Sequence, residues 1–258
     1  MEKNSKEKKR KTNPFIFVRY ILAQALVIIL YTPLLLLPTR FHFSFLYDFI
    51  IILYLWAGKI VSINLTKNFN TPKKHVIYAS NHKCHADPMI IAKHLKDKFT
   101  FIMAQRLMRG PFNIIKLKMR LLTIDTRSML KLEKSIKEIS KTVNKYNYSL
   151  VFFPEGKYVL DEPVGTIKSG ITKLARDTDS EVVPVAIYGI SQDYIYDRPI
   201  VKKKSYIKMG NPIDYKNFST DKEFMSYLKN EIKRLYLELQ EEVNNIENNG
   251  CYVTTNYN

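Results

Sequence analysis

The pattern of apolar and polar positions changes twice along the chain. Residues 2–11 are a mostly basic head, Glu-Lys-Asn-Ser-Lys-Glu-Lys-Lys-Arg-Lys. Residues 20–37 then run for 18 positions without a charge. As a helix this run would be about 27 Å long, close to the hydrocarbon thickness of a bilayer. Residues 43–57 form a second apolar stretch, shorter and broken by Asp48, with Trp56 and several tyrosines near the ends, which suits an interfacial aromatic belt. A secretory signal peptide fits poorly, because the first run is long, contains Pro33, and leads into Pro38-Thr39-Arg40 in place of a small-residue cleavage site. A buried core helix is the other reading of one such run, and the second stretch close behind it favours a membrane-binding helical hairpin. If both stretches enter the bilayer and return, the basic head and the remaining chain share one face, the cytoplasmic one by the positive-inside rule.

From about residue 63 the pattern alternates between short β-rich runs and helical ones. Residues 76–79, 99–102 and 121–124 read as strands, and the continuous apolar runs 150–153 and 182–187 as buried ones. Ser128 is placed to cap a helix on which Leu132, Ile136, Ile139 and Val143 recur at helical spacing. Thr220-x-x-Glu223 reads as a capping box opening a long helix with Phe224, Leu228, Ile232, Leu235 and Leu239 on one face. Alternation of this kind predicts an α/β fold with a mostly parallel sheet flanked by helices. No repeat or Gly/Pro-rich linker divides the region, so it is expected to be one domain.

Composition is that of an ordinary globular protein, 46% hydrophobic and 25% charged. The charge balance is less ordinary: 41 Lys plus Arg against 24 Asp plus Glu gives +17. Such a surface attracts anionic partners, whether lipid headgroups, metabolites or nucleic acid. Nucleic acid is disfavoured because no binding motif is recognisable and the basic residues are scattered. Cys84 and Cys251 lie far apart and read as unpaired thiols in a reducing compartment.

Candidate chemistry follows the first strand, in Asn81-His82-Lys83-Cys84-His85-Ala86-Asp87-Pro88. On a continuous helix His82 and Asp87 would point apart. Pro88 suits the first turn of a helix and biases Asp87 toward an extended N-cap, so the chain can turn between the two and bring carboxylate to imidazole. That is a base-and-orienter arrangement for acyl transfer. Taken alone, Asp before Pro is also simply a helix cap. Glu155 ends an apolar strand in Phe152-Phe153-Pro154-Glu155-Gly156, where ligands of open α/β sheets gather, although a strand-ending turn reads the same way. Arg127, just past another strand in Ile124-Asp125-Thr126-Arg127, could grip a phosphate or form a surface salt bridge. His85 with His82 and Asp87 invites a metal-site reading, but no further ligand cluster accompanies them.

Taken in order, these segments resemble the glycerolipid acyltransferases typified by 1-acyl-sn-glycerol-3-phosphate acyltransferase. Asn81-His82 with Asp87 is similar to that family's His-x4-Asp block. Ile124-Asp125-Thr126-Arg127 resembles its second block, Phe153-Pro154-Glu155-Gly156 its third, and Val183-Pro184-Val185-Ala186 its fourth. Lys168-x-Gly170 followed by Leu174-Ala175 matches a further segment after the third. The resemblance spans about residues 63–215. It implies a basic head with membrane-associated helices over 1–62, an acyltransferase domain over 63–250 and a tail over 251–258. It also implies His82 as base and Asp87 as its orienter, with Arg127, Glu155, Gly156 and Lys157 positioning the acceptor. The donor would be acyl-coenzyme A or acyl-carrier protein, the acceptor a lysophosphatidate at the membrane, with no metal or cofactor and no covalent enzyme intermediate. One departure bears on the acceptor. The family's third block usually continues Thr-Arg, where this chain has Lys157-Tyr158. Glycerol 3-phosphate or another lysophospholipid therefore stands behind lysophosphatidate. Lys83 and Cys84 also differ from the first block's commonest form, and Cys84 is assigned no catalytic role. The rival of another class is a membrane-anchored lipid-binding protein without turnover, against which both His82 and Asp87 are present.

Overall fold

A computed structural model of the chain describes residues 44–67, 69, 72, 74–107, 121–191 and 203–248, together with Val18, Leu22 and Ala25. The expected first apolar run, 20–37, otherwise lies outside these residues, as do the basic head and the tail. Seven strands make one sheet: β1 (Ile60–Asn64), β2 (Ile77–Ser80), β3 (Phe99–Ala104), β4 (Leu122–Ile124), β5 (Ser149–Phe152), β6 (Val182–Tyr188) and β7 (Lys203–Met209). Their order is β1-β7-β6-β2-β5-β3-β4, which puts β2 at the centre. Every neighbouring pair is parallel except β6 with β7, which run antiparallel. The α/β architecture with a mostly parallel sheet is as the alternation predicts.

The sheet is sandwiched between helices because its strands alternate. Tyr78, Val151, Val183 and Val185 face one side, where α1 (Ser44–Ala57) supplies Ile51 and Leu55 and α2 (Asp87–Ala92) supplies Ile90 and Ile91. Ile77, Ala79, Leu150, Phe152 and Val182 face the other. There α3 (Met129–Tyr146) brings Ile136, Ile139 and Val143, α4 (Gly170–Thr178) brings Ile171 and Leu174, and α5 (Asp221–Asn248) brings Phe224, Leu228 and Ile232. Burying a side chain of this size contributes about 1.5–3 kcal/mol, so both faces of the central strands are strongly held. Leu235, Leu239 and Val243 continue the α5 stripe over Ala186 and Tyr206.

The predicted helix starts are present in detail. Lys131 N–H donates to the Ser128 hydroxyl at 3.3 Å, and Glu223 N–H to the Thr220 hydroxyl at 3.1 Å. The Glu223 carboxylate reaches back to Ser219 N–H at 3.0 Å, one residue earlier than the simplest capping box.

Two strands are additions to the sequence reading. β1 follows α1 through Gly58 and Lys59, the latter at φ 53, and pairs with β7 from residue 60 onward. The boundary expected between residues 62 and 63 thus falls inside β1, and α1 is part of the main core. Among the described residues, no helix is long and apolar enough to cross a membrane. The second arm of the expected hairpin is α1, at 14 residues about 21 Å long, and it packs on the sheet.

Candidate active site

His82 and Asp87 meet. The central strand β2 ends at Ser80, and its direction is continued by Asn81, which is fully buried. The Asn81 amide donates to the Ile187 carbonyl at 3.0 Å and its oxygen accepts from Ile187 N–H at 2.8 Å, extending the β2–β6 ladder by one side chain. His82 therefore leaves the sheet at a fixed point. Its Nδ1 lies 2.9 Å from Asp87 Oδ2.

Asp87 is held just as tightly. It is fully buried, and its Oδ2 also accepts the backbone N–H of Lys83 at 2.6 Å and of Cys84 at 2.8 Å. The Cys84 thiol donates to Oδ1 at 3.1 Å. Burial and the neighbouring carboxylate push that thiol's pKa up, which suits a donor and not a nucleophile. One expectation needs correcting. Asp87 is not an extended N-cap: α2 begins at Asp87 itself, with Ala86 before it already in helical conformation. The carboxylate turns back to the preceding backbone amides and so ties the 82–87 turn together.

Above this turn folds the segment after β5. The Phe153 ring stacks on the His82 imidazole at 4.0 Å between centroids, and Tyr158 meets it edge-on at 4.5 Å. Val159 N–H donates to the His82 carbonyl at 2.9 Å. Lys83 is buried, and its ammonium donates to the carbonyls of Val159, at 2.7 Å, and Glu162. Burial lowers the Lys83 pKa, against the raising influence of Glu155 and Asp87.

Glu155 sits differently from the substrate-facing group expected of it. It is 2% exposed and turned inward, accepting His82 N–H at 3.2 Å and Gly165 N–H at 2.7 Å. Burial raises its pKa, while those two N–H groups and Lys83 pull the other way. Its carboxylate closes the 155–165 loop and holds the base of His82. Gly156 has φ +66, and a Cβ there would lie 2.8 Å from the Lys168 ammonium. Lys157 and Lys168 are both exposed, so Lys168 adds a cation that sequence reasoning had placed in a block without assigning it a role.

Arg127 is not gathered with these groups. β4 is the edge strand, three places from β2, about 14 Å at the usual strand spacing. Its guanidinium is exposed and engages the Asp125 carboxylate through Nε, 2.9 Å from Oδ1 and 3.1 Å from Oδ2, and through Nη2, 2.6 Å from Oδ2. The arginine holds the Asp125 pKa down at about 2. The surface salt bridge is thus formed, at the rim of a cavity of about 220 Å³ lined by Ala104, Gln105, Arg106 and residues 124–127. Among the described residues, no group of three or more His, Cys, Asp or Glu is placed to hold a metal ion.

An imidazole oriented by a buried carboxylate at the C-terminal end of a central strand is equipped to take a proton from a hydroxyl. Comparison with known proteins points the same way. The chain is 30% identical over 159 residues to a probable 1-acyl-sn-glycerol-3-phosphate acyltransferase of Mycoplasma pneumoniae, a match covering 59% of this chain and 58% of that protein. It is 29% identical over 143 residues to the 1-acyl-sn-glycerol-3-phosphate acyltransferase of Borreliella burgdorferi, covering 55% and 56%. The chain thus spans somewhat under three fifths of the length of these curated relatives. The fold is that of the crystal structure of the 1-acyl-sn-glycerophosphate acyltransferase of Thermotoga maritima, with TM-score 0.63 at 21% identity over 88% of this chain and 95% of that one. The family model described as Acyltransferase matches residues 62–188, from within β1 to the end of β6.

Proposed function

We propose that this chain transfers a fatty acyl group from a thioester, acyl-coenzyme A or acyl-carrier protein, to the free hydroxyl of 1-acylglycerol 3-phosphate, giving phosphatidate. The observation that carries the reading is the 2.9 Å contact of His82 Nδ1 with a carboxylate that two backbone N–H groups already fix. With Nδ1 engaged, Nε2 is the nitrogen left to act as base. It accepts the hydroxyl proton as the oxygen attacks the thioester carbonyl carbon. The tetrahedral intermediate collapses with cleavage of the C–S bond, and the imidazolium returns its proton to the leaving thiolate. Asp87 holds the tautomer and stabilises the imidazolium. No metal or cofactor takes part, and the thioester is a co-substrate.

The other site residues divide by position. Glu155 and Gly156 shape the loop over His82, Glu155 by its inward hydrogen bonds and Gly156 by a backbone conformation other residues resist. Lys157, on that loop, and Arg127, at the cavity rim, receive the acceptor phosphate. Lys157-Tyr158 in place of the usual Thr-Arg favours a wider acceptor choice, since a lysine lacks the planar fork of arginine. Glycerol 3-phosphate or another lysophospholipid is the second acceptor reading.

The substrate lives in a bilayer, and α1 presents Phe49, Ile52 and Trp56 outward on one face. Together with the apolar run 20–37, that outward face of α1 holds the chain on the membrane, and the sheet with its helices acts on the cytoplasmic side as the acyltransferase domain. The test is acyl transfer by the purified full chain in vesicles, with labelled acyl thioester, for wild type and His82→Ala. Transfer that collapses in the variant supports the reading. No transfer by folded, vesicle-bound wild type from either donor would make the chain a lipid-binding protein instead.

A further inference from the structure

The two most exposed large apolar side chains among the described residues are adjacent: Met129, 71% exposed, and Leu130, 78% exposed. They form the first turn of α3, at the outer edge of the sheet beyond β4. Nothing in the capping of α3 requires them, since the Ser128 side chain accepts the Lys131 N–H whatever follows it. The opposite edge carries a matching feature. α1 leads into β1, and its Ile52 and Trp56 are 61% and 59% exposed.

Topology puts both features at one end of the molecule. β4 runs parallel to β2, so the residues just after Ile124 lie at the end where β2 delivers His82. β1 is parallel to β7, which is antiparallel to β6, so β1 begins at that same end and the last turn of α1 lies there. The edge-on contact of Tyr54 with His85, ring centroids 6.2 Å apart, ties α1 to the His82–Asp87 turn directly. β2 is the fourth of seven strands, so each apolar feature is displaced about 14 Å to one side of it.

We propose that Met129 and Leu130 are a second membrane contact, which together with the outward face of α1 sets the end of the sheet bearing His82 flat on an anionic lipid surface. The inference rests on the proposed lipid substrate and adds a footing at the far edge. Charge complementarity selects the occupant. Lys131 and Lys134 are exposed directly behind the apolar pair, the arrangement that lets a helix end enter the headgroup layer with its cations against lipid phosphates. A single contact at α1 would let the domain swing. Two contacts on either side of His82 fix its height above the bilayer, so that a lysophospholipid hydroxyl can reach it without leaving the membrane.

The chain has one tryptophan, Trp56, which makes each footing separately observable. In the full chain carrying Trp56→Phe and Leu130→Trp, the introduced indole is the only one. On vesicles of phosphatidylcholine and phosphatidylglycerol with brominated acyl chains, its fluorescence is expected to fall by roughly half, as for a side chain at the headgroup–acyl boundary. The wild-type chain, read through Trp56, is quenched on the same vesicles. Met129→Asp with Leu130→Asp lowers vesicle partitioning about tenfold, in line with loss of two partly buried apolar groups, and leaves transfer to a short-chain, water-soluble acceptor unchanged. Quenching at Trp56 with none at position 130 would overturn the second footing while leaving the enzyme reading intact. An unquenched indole at 130 that responds instead to an acidic carrier protein would overturn it in favour of a protein partner. Failure of the soluble-acceptor reaction in wild type would count against the enzyme reading alone.

Discussion

The turn after β2 and the loop after β4 both present a polar side chain, His82 and Arg127, at the same end of the sheet, and they are built in opposite ways. After β2, every polar atom that positions His82 is buried and paired: Asn81 to Ile187, Asp87 to two backbone amides, Glu155 to His82 N–H and Gly165 N–H. After β4, Arg127 is exposed and held by Asp125, its neighbour but one. A group that must meet a reacting atom needs geometry fixed within a fraction of an ångström. A group that catches a phosphate gains from reach, and an exposed ion pair is weak enough to be exchanged for one.

The comparison breaks most visibly at the centre. Asp87→Asn keeps the shape of the turn but sets the wrong imidazole tautomer, and kcat is expected to drop about 10³-fold with little change in KM. Steady-state kinetics would show it, and a loss of less than tenfold would argue that Asp87 does not orient the base.

Lys83→Met comes next. It leaves the Val159 and Glu162 carbonyls without their buried donor, so the fold is expected to lose about 2 kcal/mol by chemical denaturation. The loop carrying Lys157 and Tyr158 loosens with it, and acceptor KM rises.

Glu155 gives a pH signature. Its folded pKa is raised by burial, so the folded chain holds that proton more tightly than the unfolded one. The stability this adds is fully present below the unfolded value near ~4.3 and is lost as pH rises through the higher folded value. Glu155→Gln should therefore flatten the dependence of Tm on pH across that window. An unchanged slope would mean that Glu155 holds its proton no more tightly in the fold than in the unfolded chain.

The smallest effect belongs to the edge. Arg127→Ala is expected to raise acceptor KM about tenfold with kcat held, and to change stability by less than about 0.5 kcal/mol. A large loss of kcat would place Arg127 at the reacting centre, against its position on the edge strand.

What was legible in the sequence follows the same division. Strands β2, β5 and β6 are uninterrupted apolar runs, and the α3 and α5 stripes with their Ser128 and Thr220 caps are local patterns, so periodicity finds them. β7 escaped because Lys203-Lys204-Ser205-Tyr206-Ile207-Lys208-Met209 carries three lysines, although Lys203 is 1% exposed in the fold. β1 escaped because it continues an apolar helix with only Gly58 and Lys59 between them. At the site, the meeting of His82 and Asp87 could be argued from a turn between two residues five apart, although Asp87 starts the helix instead of capping it in the extended form that Pro88 suggested. The inward turn of Glu155 could not, since a carboxylate after an apolar strand looks the same whether it faces ligand or backbone. Nor could the grip of Lys83 on residues 159 and 162, which is made across 76 and 79 positions of sequence.

The most direct test of the central claim is product identification. Purified full chain is given labelled acyl-coenzyme A or acyl-carrier protein with lysophosphatidate, glycerol 3-phosphate and neutral lysophospholipids in competition. The account predicts labelled phosphatidate as the main product from at least one donor. Label entering no glycerolipid from either donor, with the protein folded and bound to vesicles, would contradict it.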